Sequence, residues 1–255
     1  EAKVAEVMDG HYVSTMTSAD QEAVAKLFMK YDLRAMPVTD NDQRLVGVIT
    51  VDDVMDVVVQ EQTEDMQKMA AMTPSELPYL EQNIWSLSKH RIGWLMILMV
   101  TATITGGIIS SYEDVLSQTV ALAIFIPMLM DTGGNAGAQS STLLIRSIAL
   151  GQVEFKDFFK VLWKELRVGL LCGLVLALLN TIRILMISDA PLAVAIVVNI
   201  SIVATVVFSK ALGGILPILS DRVGLDPAMM TGPLITTVVD TCALLIYFAL
   251  ASLLL

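Results

Sequence analysis

Charge, cysteine and histidine are all scarce in this chain of 255 residues, which has 16% Asp, Glu, Lys and Arg, two cysteines and two histidines. Soluble domains carry about 25% charged residues, so an ordinary water-soluble protein is excluded over the full length. Cys172 and Cys242 both fall in apolar runs, which removes a disulfide framework and leaves them as small buried hydrophobes. Without a His or Cys cluster, zinc and copper have no ligand set. No Walker-type glycine and lysine loop is present, so ATP hydrolysis is not expected to drive anything here. Bases are outnumbered 16 to 26, giving a net charge of −10, a balance that repels nucleic acid and anionic lipid and attracts cations. The chain starts Glu-Ala-Lys, with neither an initiator methionine nor a signal-peptide pattern, and is expected to be a piece of a longer protein.

What is abundant is apolar. The chain is 55% hydrophobic with a mean hydropathy of +0.69. Its acidity is uneven: residues 1–91 carry 16 acids against 8 bases and residues 92–255 carry 10 against 8. A soluble acidic part therefore precedes a membrane part. A span needs about 20 apolar residues, and five stretches qualify: 92–110, 117–145, 168–187, 191–213 and 233–255. Lys89 and Arg91 precede the first, Arg146, Lys156, Lys160, Lys164 and Arg167 crowd the link between second and third, and Lys210 and Arg222 mark the next link on that side. The opposite links carry only Arg183. The positive-inside rule then puts the N-terminal part in the cytoplasm and the C-terminus outside, in a multi-pass protein of the cell membrane, inner or plasma, surrounded by lipid. Residues 153–167 place Phe155, Phe158, Phe159, Leu162 and Leu166 at helical spacing opposite charges, which reads as an interfacial helix leading into the third span.

Polar groups inside those spans need compensation. Asp131 interrupts the second span and Asp240 the fifth, and an ionised carboxylate at a helix centre costs about 2.5 to 3.5 kcal/mol on insertion scales. Around Asp131 runs PMLMDTGGNAGAQ, where Gly133, Gly134, Asn135 and Gln139 read as a turn facing protein or a water-filled cavity. Pro127 and Pro233 are expected to free backbone carbonyls near Phe125 and Met229. Gly106, Gly107, Gly169 and Gly173 read as close-packing positions, and Asn180 and Asn199 as interhelical hydrogen bonders. A carboxylate with carbonyl oxygens and room for retained water suits magnesium, a hard ion that sheds water reluctantly. At a two-fold axis between subunits Asp240 would appear twice, matching a divalent charge.

The acidic part alternates short elements. HYVSTMT is strand-like, ADQEAVAKLFMKYD amphipathic and helical, AMPVTD and LVGVIT are strands separated by turn residues at 40–42, and VDDVMDVV opens a helix. From Asp52 to Met72 a helix continues, stacking Asp52 with Asp56 and Glu61 with Asp65, and Glu64 beside them. Like charges so spaced destabilise a helix by a few tenths of a kcal/mol, which a bound divalent ion would reverse.

The order strand, helix, strand, strand, helix with MPVTD and LVGVIT resembles a cystathionine β-synthase (CBS) domain. That resemblance implies that Thr50 and Asp53 hold the ribose of an adenine nucleotide. GGNAGAQ, the CBS domain, the connector QTEDMQK and DPAMMTGPLITTVVD in this order resemble the MgtE family of magnesium channels and transporters over the whole chain. The fold so implied is an α-helical membrane protein, a five-span transmembrane bundle preceded by a partial cytoplasmic α/β CBS domain and an acidic connecting helix. Its divisions would be 1–60 for the CBS domain, 61–91 for the plug helix and linker, and 92–255 for the pore. The family implies a homodimeric Mg²⁺ channel with the pore at the subunit interface and no enzymatic activity. Asp240 corresponds to the intramembrane aspartate holding hydrated Mg²⁺, Asn135 with Gly133 and Gly134 to the pore-lining motif, and Asp131, Gln139 and Thr236 to further lining positions. Mg²⁺ would be both substrate and regulator, binding Asp52, Asp53, Asp56, Glu61, Glu64 and Asp65 to close the pore. The upstream acidic domain and first CBS domain usual in the family are missing from this sequence. Two other classes stay open: a cation-coupled secondary transporter on the same scaffold, and an intramembrane aspartyl protease using Asp131 and Asp240 as a dyad.

Overall fold

The computed structural model describes residues 12–75, 77–187, 191–230 and 232–255. Expectations resting on residues 1–11, including His11 of the first strand, and on Thr231 lie outside the described residues. Contacts divide the chain into two units, Glu1–Asp65 and Met66–Leu255.

In the first unit the order expected from sequence is found. Strand β1 (Thr15–Met16) is shorter than its HYVSTMT pattern and is followed by α1 (Gln21–Tyr31), β2 (Ala35–Thr39), β3 (Leu45–Thr50) and the start of α2 (Val51–Met69). β2 pairs parallel with β1 and antiparallel with β3. Helix α1 begins where the Asp20 carboxylate accepts the Ala23 N–H at 3.1 Å, and it ends at Asp32 in the left-handed region, so both ends have their orphan backbone groups answered. The β2–β3 turn is held by Asp40, whose Oδ1 accepts the N–H groups of Asp42 and Arg44. Val24, Ala25 and Phe28 of α1, Met36 of β2 and Val54 of α2 form the core.

Helix α2 runs unbroken past the division expected at residue 60, because no helix breaker occurs before Pro74. The second unit contains α3 (Ile84–Ser111), α4 (Glu113–Gln118), α5 (Ile126–Ala149), α6 (Phe158–Ile187), α7 (Leu192–Arg222) and α8 (Gly232–Leu254). Among the described residues five helices are long and apolar enough to cross a membrane, as the hydropathy implied. Helix α7 is the centre, packing against α5, α6 and α8. Asn180 Nδ2 donates to Asn199 Oδ1 and Asn199 Nδ2 to Thr181 Oγ1, each at 2.7 Å, tying α6 to α7 as expected. Cys172 and Cys242 are free and half-buried.

The helix expected to lead into the third span does so without a break, residues 158–167 being the opening turns of α6. Other local expectations are overturned. Pro127 and Pro233 are each the second residue of a helix, where the missing N–H has no partner to lose, so neither frees a carbonyl in mid-span. Gly169 and Gly173 do pack closely: a Cβ on them would lie 2.9 Å from Val207 Cα and 3.0 Å from Val203 Cα on α7. Gly106 and Gly107 have nothing within 4 Å, because α3 presents no buried residue to the rest of the chain.

Candidate functional site

The segment carrying Asp131 is helical throughout, without the turn that its glycines implied. Helix geometry sorts it into two faces. Asp131, Asn135 and Gln139 recur every fourth residue on an exposed face, while Gly133, Gly134, Gly137, Ser140 and Ser141 are buried. The glycines give up their side chains to admit neighbours. A Cβ at Gly133 would stand 2.7 Å from Thr205 Cγ2 of α7 and 2.8 Å from Val239 Cγ1 of α8, closer than such contacts allow. The spacing of Gly133 and Gly137 is that of small-residue helix contacts in membranes.

This approach brings α8 onto the site. The Cβ position of Gly134 lies 3.2 Å from Thr236 Cγ2 and 3.8 Å from Asp240 Oδ1. Asp240 is half-buried, and Asp131 lies three residues before Gly134, on the adjoining turn of the same helix. Thus Asp131, Gly134, Thr236 and Asp240 are brought together, and Asn135 and Gln139 continue the exposed face of α5. Among the described residues no basic side chain lies within ion-pair distance of Asp131 or Asp240. Nor do three His, Cys, Asp or Glu side chains converge among them. Two carboxylates without a protein cation attract a mobile one, and oxygen donors select hard ions.

Sequence reasoning missed a buried polar cluster behind this face. Lys210 is 6% exposed and approaches Gln139 Oε1 and Ser140 Oγ, while the Ser140 hydroxyl donates to Glu165 Oε2 at 2.6 Å. Lys210 is not at a link, as the charge pattern implied, but inside α7. The signal was available in the apolar residues Leu212, Ile215, Leu216, Ile218 and Leu219, which carry the span beyond it.

The other predicted residues belong to the first unit. Asp52, Asp53 and Asp56 are exposed on α2, and Glu61 accepts the Gln21 amide at 2.7 Å. Asp53 Oδ2 accepts both the N–H and the hydroxyl of Thr50, at 2.9 and 2.5 Å, so this pair caps the helix. Those bonds hold the Asp53 carboxyl below the usual carboxylate range. A depressed pKa adds stability above the unfolded value of about 3.9 that is lost as pH falls through the folded one. Asp53→Asn is therefore expected to melt below the unchanged chain at pH 6, with the gap narrowing at pH 3; a gap independent of pH would refute the assignment.

A family profile for MgtE, described as a divalent cation transporter, matches residues 126–250, and a CBS domain profile matches residues 4–60. The chain is 42% identical over 253 residues to the magnesium transporter MgtE of Thermus thermophilus, covering 99% of this chain and 56% of that protein. It belongs to the MgtE family. MgtE of Bacillus subtilis is 36% identical over 252 residues, with 99% and 55% of the two chains covered, and MgtE of Enterococcus faecalis 33% over 250, with 98% and 54%. The chain spans about half the length of these curated relatives. The MgtE profile encloses α5 and the carboxylate of α8 together, the two helices that build the candidate site.

Proposed function

We propose that this chain carries the pore of an Mg²⁺ channel that imports magnesium down its electrochemical gradient. The observation that carries the reading is the pair of carboxylates Asp131 and Asp240 on apposed spanning helices, without a basic partner among the described residues. The relatives, magnesium transporters by name, supply the ion. In this reading hydrated Mg²⁺ is held at Asp240, with Asn135 and the Gly133 and Gly134 stretch beside it. A second copy of the chain completes the pathway across a two-fold axis, doubling the carboxylate charge. The first unit faces the cytoplasm. There Asp52, Asp53, Asp56, Glu61, Glu64 and Asp65 bind Mg²⁺ when it is plentiful and hold the channel shut. Thr50 and Asp53, released from one another, are the pair that would take a nucleotide ribose.

A divalent ion crossing an inside-negative potential of 100 mV gains about 4.6 kcal/mol, so no coupled energy source is required. The test is Mg²⁺ uptake by proteoliposomes under an imposed potential. Uptake that follows the potential and falls when Mg²⁺ is loaded inside is the expected result, with neutralisation of the six α2 acids removing the internal sensitivity. Obligatory exchange against another cation would instead establish a coupled transporter. Retained internal sensitivity in the neutralised variant would defeat the gating assignment alone.

A further inference from the structure

Lys210 is an expensive residue to keep where it is. It is the nineteenth residue of a helix that spans 31, nearly fully buried, and desolvating an ammonium costs several kcal/mol. Among the described residues no carboxylate comes within ion-pair distance of it. Three helices have been brought together around it by glycine. At Gly169 of α6 a Cβ would stand 3.5 Å from Lys210 Cβ, at Gly214 of α7 it would lie 2.7 Å from Glu165 Cγ, and at Gly213 it would lie against the Gly137 carbonyl of α5. An apolar side chain would fill the same space without the desolvation cost, so packing does not account for a lysine.

Its contacts do. Lys210 Nζ lies 3.4 Å from Gln139 Oε1 and 3.4 Å from Ser140 Oγ, and the Ser140 hydroxyl donates a hydrogen bond to Glu165 Oε2. An ammonium has donors only, so it can engage a carboxamide solely through the oxygen. The oxygen of Gln139 thereby faces the buried ammonium, while the residue itself lies on the exposed face shared with Asp131 and Asn135. Water around Mg²⁺ points its hydrogens outward and seeks acceptors, which an amino group does not supply. We infer that Lys210 is a positioning residue for the transport pathway: it holds Gln139 with its nitrogen outward and so ends the cation-attracting stretch of α5 at Asn135. Gln139 keeps the lining position expected from the sequence but turns its nitrogen rather than its oxygen to the path.

The proposal rests on the transport reading above, and the half-saturating Mg²⁺ concentration for uptake tests it. Gln139→Met decides the sign. Removal of an outward amino group lowers the half-saturating concentration; a rise would mean that the oxygen faces the path, and would overturn the proposal. Lys210→Met frees the carboxamide to turn its oxygen outward, and the half-saturating concentration is expected to fall about 3- to 10-fold, a shift of the size of one hydrogen bond. In the Gln139→Met background the same substitution should change nothing, since its effect passes through the amide. An equal shift in both backgrounds would mean that the lysine acts by charge alone, and a lower melting temperature with an unmoved half-saturation would mean that it only packs. Lys210→Arg, a donor-only cation, should retain the unchanged chain's value. Absence of uptake by the unchanged chain would defeat the transport reading and this proposal with it. Robust uptake with unmoved half-saturation in Gln139→Met and Lys210→Met would defeat this proposal alone.

Discussion

Asp240→Asn should reduce Mg²⁺ uptake at least tenfold at matched protein density in proteoliposomes. Asp240 sits where α8 meets the glycine face of α5, beside Gly134, and asparagine keeps its shape while removing its charge. A unit charge about 5 Å from a divalent ion is worth roughly 6 to 7 kcal/mol at an effective dielectric of 20. If solvent and a second carboxylate recover four-fifths of that, about 1.4 kcal/mol remains, which is tenfold in occupancy. Asp131→Asn should reduce uptake less, because Asp131 is exposed while Asp240 is half-buried against α5. The contrast separates transport from a protease dyad, in which either substitution would abolish activity. Uptake unchanged by Asp240→Asn would place the ion path elsewhere in the molecule.

Gly213→Ala is expected to be the most damaging single methyl group. Its Cβ would fall on the carbonyl of Gly137, with Gly137 C and Cα at 3.0 and 3.1 Å. All three are backbone atoms of α5, so relief requires moving a helix rather than rotating a side chain. Overpacking of a core costs about 1 to 3 kcal/mol, which for a unit of this size lowers the melting temperature by roughly 2 to 12 °C. Displacing α5 also moves Asp131 and Gly134 away from Asp240, so uptake should fall with stability. Gly106→Ala and Gly107→Ala form the control. Both positions are open within the chain, and alanine improves a helix interior by up to about 1 kcal/mol. Thermal melting of the purified protein should show loss at 213 and none at 106 or 107; equal losses would disprove the packing argument.

These glycines also show where sequence reading reached its limit. Hydropathy gave five spans because burial in lipid demands a long apolar run whatever the tertiary fold. The α/β order was equally legible, since the carboxylates of Asp20 and Asp40 accept backbone N–H groups within a few residues and signal their turns locally. Asp131 and Asp240 announced themselves as charges inside apolar runs. By contrast Gly106 and Gly107 look like Gly133 and Gly134 in sequence, yet one pair faces open space and the other faces α7 and α8. A missing side chain acquires meaning only from what approaches it. The reading of a turn at Gly133 failed for that reason: close helix packing requires glycine as surely as a bend does. Lys210 was misplaced similarly, because a charge near the end of an apolar stretch resembles a boundary until its buried partners are known.

The cation-attracting stretch of α5 has a length that limits traffic. Asp131 to Asn135 is four residues, or about 6 Å along a helix, against a hydrocarbon layer of about 30 Å. Two divalent ions 6 Å apart repel by roughly 11 kcal/mol at an effective dielectric of 20. In the proposed pathway a second ion therefore waits until the first has left. Throughput is set by the dwell time of a solitary occupant, and crowding at the entrance cannot push the queue forward.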